Sequence, residues 1–430
     1  MEILIIVIFL IGYLGIAFEH PLKIDKAAPA LLLGILTWAV YAVMGDFHGD
    51  PHGLDHELNH HLPEIMNILF FLLGAMTIVE LIDIHEGFQV ITSRINTTSK
   101  STMLWIICVI TFFMSATLDN LTTAIVMASL IGKLLKDRPD RLMYASMVII
   151  AANAGGAWSP IGDVTTTMLW IGGCLSVSNM IPHLIIPSLV CMIVPAAVLS
   201  FKMRGQTLNV ADNIVEFKTT SFERRTMLTV GVAGLVFVPV FKTATHLPPF
   251  MGMMLSLGVV WLVAELLHKN KTATDKRYFS PFHALAKIDA ASILFFFGIL
   301  IGVACLSSID VLTGLAGWLD KTIGNIEVIT LVIGILSSIV DNVPLVAAAM
   351  KMYSVDAASE YYAMDGKFWE FLAYCAGTGG SMLVIGSAAG VAIMGIEKIE
   401  FFWYMKNFSL LALLGYFSGA IVYLLMYPIF

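Results

Sequence analysis

Charged residues are scarce in this 430-residue chain, at 13% of the total, whereas apolar residues make up 58%. A soluble domain of this size usually carries about 25% charged residues, because its whole outer surface must be hydrated. The mean hydropathy of +0.86 instead indicates an integral membrane protein. With a net charge of −7 and no basic stripe, the composition excludes a disordered chain, a water-soluble enzyme and a nucleic-acid binder.

Cysteine is also scarce, and its five positions show no CxxC spacing. All five lie in apolar segments, as is typical of small packed side chains, so we expect no disulfide framework, no metal cluster and no resident cofactor. The apolar segments contain no His-Glu-x-x-His or similar catalytic pairing, so we do not expect an enzyme. The N-terminus has no basic stretch before its first apolar run, which favours a retained first span over a cleaved signal peptide.

Long apolar runs separated by charged loops predict an all-α polytopic membrane protein, because closed barrels need short alternating strands instead. The predicted segments are 3–18, 27–44, 64–84, 102–134, 142–174, 180–200, 226–242, 249–267, 289–309, 327–350, 368–395 and 408–428. Polar and glycine residues interrupt 102–134, 142–174, 327–350 and 368–395. Irregular backbone at membrane depth requires burial in protein or a wet cavity, so these interruptions indicate a cavity.

The apolar segments predict about ten transmembrane helices plus two re-entrant hairpins. The distribution of Lys and Arg between the two sides of the membrane provides a test of this topology. If 102–134 and 327–350 leave the membrane on the side where they entered, 20 of the 24 Lys and Arg residues fall on one side. The other side then holds Lys242, Lys321, Lys351 and Lys367. Because cytoplasmic loops are enriched in Lys and Arg, we predict that the basic side is cytoplasmic and that both termini lie outside.

The two halves of the chain share an ordered set of motifs. The matching motifs are Asp119-Asn120 with Asp341-Asn342, Ser115 with Ser337, and Gly155-Gly156 with Gly379-Gly380. The offset is 222 residues for the first two pairs and 224 for the glycines. Since the topology gives the halves opposite orientations, the sequence predicts an inverted-topology repeat whose broken elements meet near the midplane, as in secondary transporters.

The predicted organisation has five parts. They are the N-terminal helices and a His-rich outside loop (1–62), a first repeat with an inward-opening hairpin and a broken helix (63–200), a cytoplasmic linker (201–225), connecting helices (226–288), and a second repeat with an outward-opening hairpin and a broken helix (289–430). Gly49, Pro51 and Gly53 argue against a regular helix over the histidines at 48–61. A solvated loop is therefore favoured there over a pH sensor or a weak metal site.

Asp119 and Asp341 each lie in the middle of an apolar hairpin, where an unpaired carboxylate costs on the order of 3 kcal/mol. Neither hairpin interior contains Lys or Arg, so each carboxylate is expected to be protonated or to hold a cation. A proton and a hard cation, Na⁺ or Li⁺, would then compete for one site. The further candidate ligands carry oxygen atoms and are Asn120, Asn342, Asn153, Ser115, Thr117, Ser337, Ser338, Thr378, Ser381 and the carbonyls of Gly155, Gly156, Gly379 and Gly380.

Asp163 is a third acid within an apolar segment, and threonines follow it at 165, 166 and 167. Its carboxylate is either a second proton or cation ligand or the cap of a helix that begins after Gly162. The sequence leaves both roles open.

Several stretches resemble the NhaD-type sodium/proton antiporters of the ion transporter superfamily. They are the two Asp-Asn motifs, Asn-Ala-Gly-Gly-Ala-Trp-Ser-Pro-Ile-Gly-Asp at 153–163, and Phe-Phe-Leu-Leu-Gly-Ala-Met-Thr-Ile-Val-Glu-Leu-Ile-Asp at 70–83. The resemblance extends from about residue 20 to 430. It implies a bacterial inner-membrane antiporter that exchanges Na⁺, and often Li⁺, for H⁺. It also implies a homodimer in the lipid bilayer, with a scaffold domain and a transport domain that moves in an elevator-like way.

The same superfamily includes sodium-coupled dicarboxylate symporters and arsenite exporters, which gives an alternative function. In the dicarboxylate symporters each hairpin tip carries Ser-Asn-Thr, whereas the tips here read Leu118-Asp119-Asn120 and Val340-Asp341-Asn342. Two fixed negative charges repel a dianion, so a cation substrate is favoured. Neither tip offers a cysteine thiolate for arsenite.

Overall fold

The computed structural model describes residues 1–45, 53–92, 97–208, 218–269 and 271–429. Within these ranges the chain is helical and has no β-strand. Eight of the helices in these ranges are long and apolar enough to cross a bilayer, and shorter apolar helices accompany them. The prediction of an all-α, multi-pass membrane protein is therefore confirmed.

The first half of the chain contains both long helices and short helical segments. They are α1 (Glu2–Ala17), α2 (Glu19–Leu22), α3 (Ala27–Met44), α4 (Gly53–Ile84), α5 (Gln89–Thr92), α6 (Lys100–Leu118), α7 (Asn120–Leu134), α8 (Arg138–Gly156), α9 (Val164–Ile171) and α10 (Val177–Lys202).

The second half also contains both long and short helices. Its helices are α11 (Ser221–Thr245), α12 (Pro249–Leu267), α13 (Ala273–Tyr278), α14 (Pro281–Lys287), α15 (Ala290–Ser308), α16 (Val311–Thr322), α17 (Ile326–Leu336), α18 (Asn342–Met352), α19 (Lys367–Gly379), α20 (Ala388–Glu397), α21 (Phe401–Tyr404) and α22 (Leu410–Met426). A π-helical turn, Met405–Ser409, joins α21 to α22, and a 3₁₀ turn, Tyr427–Ile429, follows α22.

The first hairpin consists of α6 and α7. Near its base Lys100 pairs with Asp140 at 2.6 Å, and deeper inside Ser115 Oγ donates to Ala152 O at 2.6 Å, so α6 runs parallel to α8. Near the end of α7, Gly132 lies against Glu397, which pairs with Arg141 near the beginning of α8. The end of α7 therefore returns to the end of the molecule where α6 begins.

The second hairpin consists of α17 and α18 and repeats this arrangement. At its base Glu327 pairs with Lys367, and deeper inside Ser337 Oγ donates to Ala376 O at 3.1 Å, so α17 runs parallel to α19. After α18, the ring of Tyr353 lies 4.8 Å from that of Phe368, near the beginning of α19. This hairpin also returns to the end where it began.

The two hairpin units enter the molecule from opposite ends. The C-terminal ends of α8 and α19 meet at the centre, where the Cβ of Ala157 lies against Gly377. From the centre, α20 runs back to Arg141 near the base of the first hairpin, because Glu397 pairs with that arginine at 3.2 Å. After α9, Ser176 N donates to Asp365, just before α19 and near the base of the second hairpin. The five predicted domain boundaries themselves stay a prediction.

Contacts between loops define a basic end of the molecule, formed by the described residues of the loops at 19–26, 85–101, 135–141, 201–225, 268–288 and 396–407. His85 contacts His268, and Lys100 N donates to Gln206 O at 3.1 Å. Arg138 contacts the carbonyl of Lys398 at 3.4 Å. These are the loops that the count of basic residues assigns to one side. We call the other end, which holds Lys351 and Lys367, the opposite end.

The histidine-rich stretch differs from its predicted form. Because α4 begins at Gly53, His56, His60 and His61 lie on its first turns and not in a loop, and the helix continues through Pro63. His61 Nε2 reaches Ser308 Oγ at 3.2 Å, so packing against α15 extends the helix beyond the predicted start. His48 and His52 lie outside the described residues.

A buried histidine pair lies at the basic end, just after α4 and α12. His85 Nδ1 donates to Leu81 O at 2.6 Å, so its Nε2 accepts from His268 Nε2 at 2.8 Å. The ring of Phe279 stacks on His268 at 4.6 Å. Burial lowers the pKa of His85 to about 4 and also lowers the pKa of His268.

This pair predicts a loss of stability in mild acid. The unfolded chain protonates His85 near pH 6.5, whereas the folded chain does so near pH 4. The contribution of neutral His85 to the free energy of unfolding is therefore complete above about pH 6.5 and is lost as the pH falls towards 4. We expect His85→Gln to reduce the loss of unfolding free energy between pH 7.5 and 5.5 by about 1 kcal/mol. Thermal unfolding in detergent at the two pH values measures this. The exposed control His56→Gln should keep the wild-type slope, and an unchanged slope in His85→Gln would contradict the prediction.

Candidate functional site

Asp163 lies between the tips of the two hairpins. Its Oδ2 accepts a hydrogen bond from Asn120 Nδ2 at 2.6 Å and a longer one from Asn342 Nδ2 at 3.4 Å. Its Oδ1 accepts from both the backbone N–H and the hydroxyl of Thr165 at 2.8 Å, which caps α9. The residue is 2% exposed, and in the described part of the chain its carboxylate has no Lys, Arg or His ion-pair partner. Asp163 is thus a helix cap and also the carboxylate that contacts both tips.

Asn153 connects the two repeats. Its Oδ1 accepts from Asn120 at 3.1 Å, and its Nδ2 donates to Ser381 Oγ at 2.9 Å and to Ser387 Oγ at 2.8 Å. Its side chain is fully buried, so these bonds compensate for its lost hydration. Because Asn120 is the first residue of α7, the bonds hold the tip of the first hairpin to the broken helix of the second repeat.

Asp119 forms the tip of the first hairpin in an unusual backbone conformation. Its φ of 88° and ψ of 159° lie in a region that glycine favours and that costs a non-glycine residue about 1–3 kcal/mol. This geometry ends α6 and lets the carboxylate cap α7, where Thr122 donates through both its N–H and its hydroxyl at 2.8 Å. The strain is therefore located at a predicted site residue.

Asp341 caps α18 by accepting from Val343 N at 3.2 Å. Its Oδ2 also lies 2.8 Å from Lys26 Nζ, so the expectation that this carboxylate lacks a basic partner is wrong. The absence of Lys and Arg from the hairpin interior did not exclude a lysine that approaches from the segment before α3. Asp119 and Asp341 thus differ in their surroundings despite their equivalent places in the repeat.

Most of the serine and threonine side chains that were predicted as cation ligands donate hydrogen bonds to backbone carbonyls. Ser115 and Ser337 donate to carbonyls of α8 and α19, and Thr117, Ser338 and Thr378 donate to carbonyls within three or four residues of themselves. Their oxygen lone pairs stay able to accept. Their role as cation ligands stays a prediction.

The paired glycines allow close backbone packing at the breaks. A Cβ on Gly155 would lie 2.2 Å from Phe112 O, and one on Gly379 would lie 2.0 Å from Gly334 O. Gly156 packs against Gly162 O, and Gly380 packs against Gly386 O in the same way. The glycines thus bring each broken helix against the first arm of its hairpin, while ligation by their carbonyls stays a prediction.

Two residues of the site, Ser387 and Lys26, were not predicted from the sequence. Ser387 caps α20 by accepting from Gly390 N at 3.2 Å and also contacts Asn153. It follows Asp163 by 224 residues, the offset of the repeated glycines, so the repeat itself could have identified it. Lys26 carried no such signal, because it lies in a loop far from Asp341 in sequence.

Comparisons with known proteins identify the family to which this chain belongs. Residues 3–369 match the family described as citrate transporter. Sodium/proton antiporter 2 of Arabidopsis thaliana is 41% identical over 97% of this chain and 98% of that protein. Sodium/proton antiporter 1 of the same plant is 44% identical over 98% of this chain and 72% of its own length.

Bacterial relatives and a solved structure extend the comparison. The Na⁺/H⁺ antiporter NhaD of Vibrio cholerae is 31% identical over 98% of this chain and 91% of that protein. The YdaH transporter of Alcanivorax borkumensis shares the fold, with a TM-score of 0.58 at 12% identity over 94% of this chain and 98% of that one. The matching proteins are transporters and not enzymes. The chain therefore belongs to the citrate transporter family of the ion transporter superfamily, in its group of NhaD-type Na⁺/H⁺ antiporters.

Proposed function

We propose that this protein exchanges Na⁺, and also Li⁺, for H⁺ across a membrane. The observation that carries the proposal is the Asp163 carboxylate, which is buried between amides from both hairpin tips. A buried carboxylate without a cationic partner is stable when it is protonated or when it holds a cation. The names of the relatives, sodium/proton antiporters from a plant and a bacterium, support the same pair of ions.

The exchange follows from competition between the two ions. Na⁺ and Li⁺ are hard cations that prefer oxygen ligands, and the centre offers Asp163 together with the amide oxygens of Asn120, Asn153 and Asn342. Rotation of the Asn120 and Asn342 amides would turn their oxygens towards a cation where they now donate N–H groups to the carboxylate. Protonation of Asp163 removes the charge that holds the cation, so one ion leaves as the other binds. Asp119 and Asp341 would supply further charge at the tips.

The opposed hairpins and broken helices suit alternating access. The ends of α8 and α19 meet at the centre from opposite ends of the molecule, so a movement of one unit can open the site to either side in turn. An elevator-like movement within a homodimer, embedded in lipid, is the form that the superfamily resemblance implies. In this proposal the protein serves ion and pH homeostasis.

The basic end is proposed to face the cytoplasm. It gathers the loops that carry most Lys and Arg residues, which face the cytoplasm in most membrane proteins. In a bacterial inner membrane this orientation leaves both termini outside.

An anion substrate is the alternative, and the description of the matching family as citrate transporter favours testing it. The central network contains the carboxylate of Asp163 and, in the described residues, no basic side chain paired with it. A dicarboxylate would have to enter beside this negative charge, which disfavours it unless cations enter with it.

The proposed function is tested in everted membrane vesicles with an imposed pH gradient. Adding NaCl or LiCl should collapse the gradient in vesicles that contain the protein, while choline chloride should have no effect. Asp119→Asn and Asp341→Asn should reduce the response. Labelled citrate uptake that depends on Na⁺, with no collapse of the gradient, would replace the antiporter by the anion symporter.

A further inference from the structure

We propose that Lys26 is a built-in competitor of the transported cation, whose ammonium occupies the Asp341 carboxylate until Na⁺ displaces it. The inference rests on the proposed Na⁺/H⁺ exchange and concerns how Asp341 is occupied when sodium is absent. Lys26 Nζ lies 2.8 Å from Asp341 Oδ2, and the two side chains are 17% and 13% exposed. The pair is thus shielded from bulk water but not sealed from it.

Lys26 reaches this carboxylate from outside both hairpins. It immediately precedes α3, whereas Asp341 caps α18 at the tip of the second hairpin. The ammonium also lies 4.4 Å from the centre of the Phe295 ring in α15. The lysine is therefore held by the N-terminal helices and α15, and its ion pair ties the hairpin tip to them.

Charge balance makes the ammonium and a metal ion exclude each other. One carboxylate neutralises one monovalent cation, so Na⁺ bound at Asp341 beside the Lys26 ammonium would place two like charges at one partly buried carboxylate. Na⁺ therefore gains Asp341 only as Lys26 leaves it. In the sodium-free protein the ammonium keeps Asp341 neutralised.

The structure provides space into which the ammonium can move. A cavity of about 290 Å³ adjoins the pair and is lined by Glu19, Lys26, Ile339, Asp341 and Met394, among others. This volume holds several water molecules, which can hydrate the displaced ammonium. The Glu19 carboxylate in the same cavity offers it a second partner.

The first hairpin provides an internal comparison. Asp119 has the equivalent place in the repeat, but its carboxylate is bonded by Thr122 of its own hairpin, and in the described residues it forms no ion pair. Competition by a tethered cation is therefore specific to the second hairpin. This difference separates the roles of two acids that the sequence makes look alike.

The test measures Na⁺ dependence of exchange at a fixed pH. Lys26→Gln should lower the KM for Na⁺ about three- to tenfold, since it removes a competing ion pair of ordinary strength. The maximal rate should not rise. Lys26→Arg keeps the charge and should keep a KM near the wild-type value, and Lys23→Gln, an exposed lysine of the same loop, should change it by less than about twofold.

A binding readout separates competition from a merely structural ion pair. In purified protein, the Na⁺ concentration that gives half of the sodium-induced rise in Tm should fall in Lys26→Gln by the same factor as KM. A folded Lys26→Gln variant with unchanged KM and unchanged half-maximal concentration would overturn the proposal. Absence of any Na⁺ response in the wild type would instead refute the proposed function.

The wild-type protein allows a test that does not depend on folding of a variant. Na⁺ should increase the reaction of the Lys26 amine with an amine-reactive reagent, as quantified by peptide mass spectrometry, because the displaced side chain enters the cavity. Choline chloride should not, and Lys23 should be labelled equally in both salts. Equal labelling of Lys26 in NaCl and choline chloride would also overturn the proposal.

Discussion

Asp163→Asn is expected to abolish the collapse of a pH gradient by Na⁺ or Li⁺. The substitution removes the buried charge that contacts both hairpin tips and leaves the size of the side chain unchanged. The loss of one charge next to a monovalent cation corresponds to an affinity loss on the order of 100-fold or more. Asparagine is a good helix cap, so α9 should still form. The vesicle assay and the sodium-induced rise in Tm measure exchange and binding separately.

Asp320→Asn is the matched control for this variant. Asp320 is exposed and accepts from the hydroxyl of Tyr353 at 3.0 Å, near the opposite end of the molecule. The control should exchange Na⁺ as the wild type does. If Asp163→Asn kept wild-type exchange and wild-type sodium binding, the central carboxylate would not be the ion site.

Gly155→Ala is expected to destabilise the protein, although alanine normally strengthens a helix. The added Cβ would lie 2.2 Å from Phe112 O, so α8 and α6 would have to separate. Overpacking of this kind costs about 1–3 kcal/mol, which exceeds the gain of about 1 kcal/mol from helix propensity. Thermal unfolding in detergent should show a lower Tm, and exchange should fall because the hairpin tip moves with α6.

Gly258→Ala is the matched control, for which we expect no loss of Tm. Gly258 lies within α12, and nothing lies within 4 Å of the position its Cβ would take. Its Tm should stay equal or rise slightly, since only helix propensity changes. Equal Tm values for Gly155→Ala and Gly258→Ala would show that the close packing of α8 on α6 is not required.

The local elements were largely predictable, because they depend on patterns along the chain. Continuous apolar runs defined the spans, and the Asp-Asn motifs marked both breaks, where Asp119 caps α7 and Asp341 caps α18. The start of α4 was not predictable. Glycine and proline near residue 51 indicate a loop, but the packing of His61 against Ser308 extends the helix to Gly53.

The site was only partly predictable. Asp163 could be read as a helix cap or as a ligand, and the structure gives one carboxylate oxygen to Thr165 and the other to Asn120 and Asn342. The hydrogen-bond partners of the two carboxylate oxygens could not be predicted from the sequence, because they depend on how two distant hairpin tips approach one broken helix. The ligand roles of the serines, threonines and glycines stay predictions.

By itself the sequence determined that this is a helical membrane protein with a repeated pair of broken elements, because hydropathy, charge placement and repeat spacing are properties of the chain alone. Only the tertiary structure decided which acid lies between the tips and which acid has a lysine beside it. Lys26 and Asp341 lie 315 residues apart, and their contact arises because α15 packs against both α3 and α18. The electrostatic environment of a buried charge is a sum over its neighbours in space, and the tertiary fold determines which groups those neighbours are.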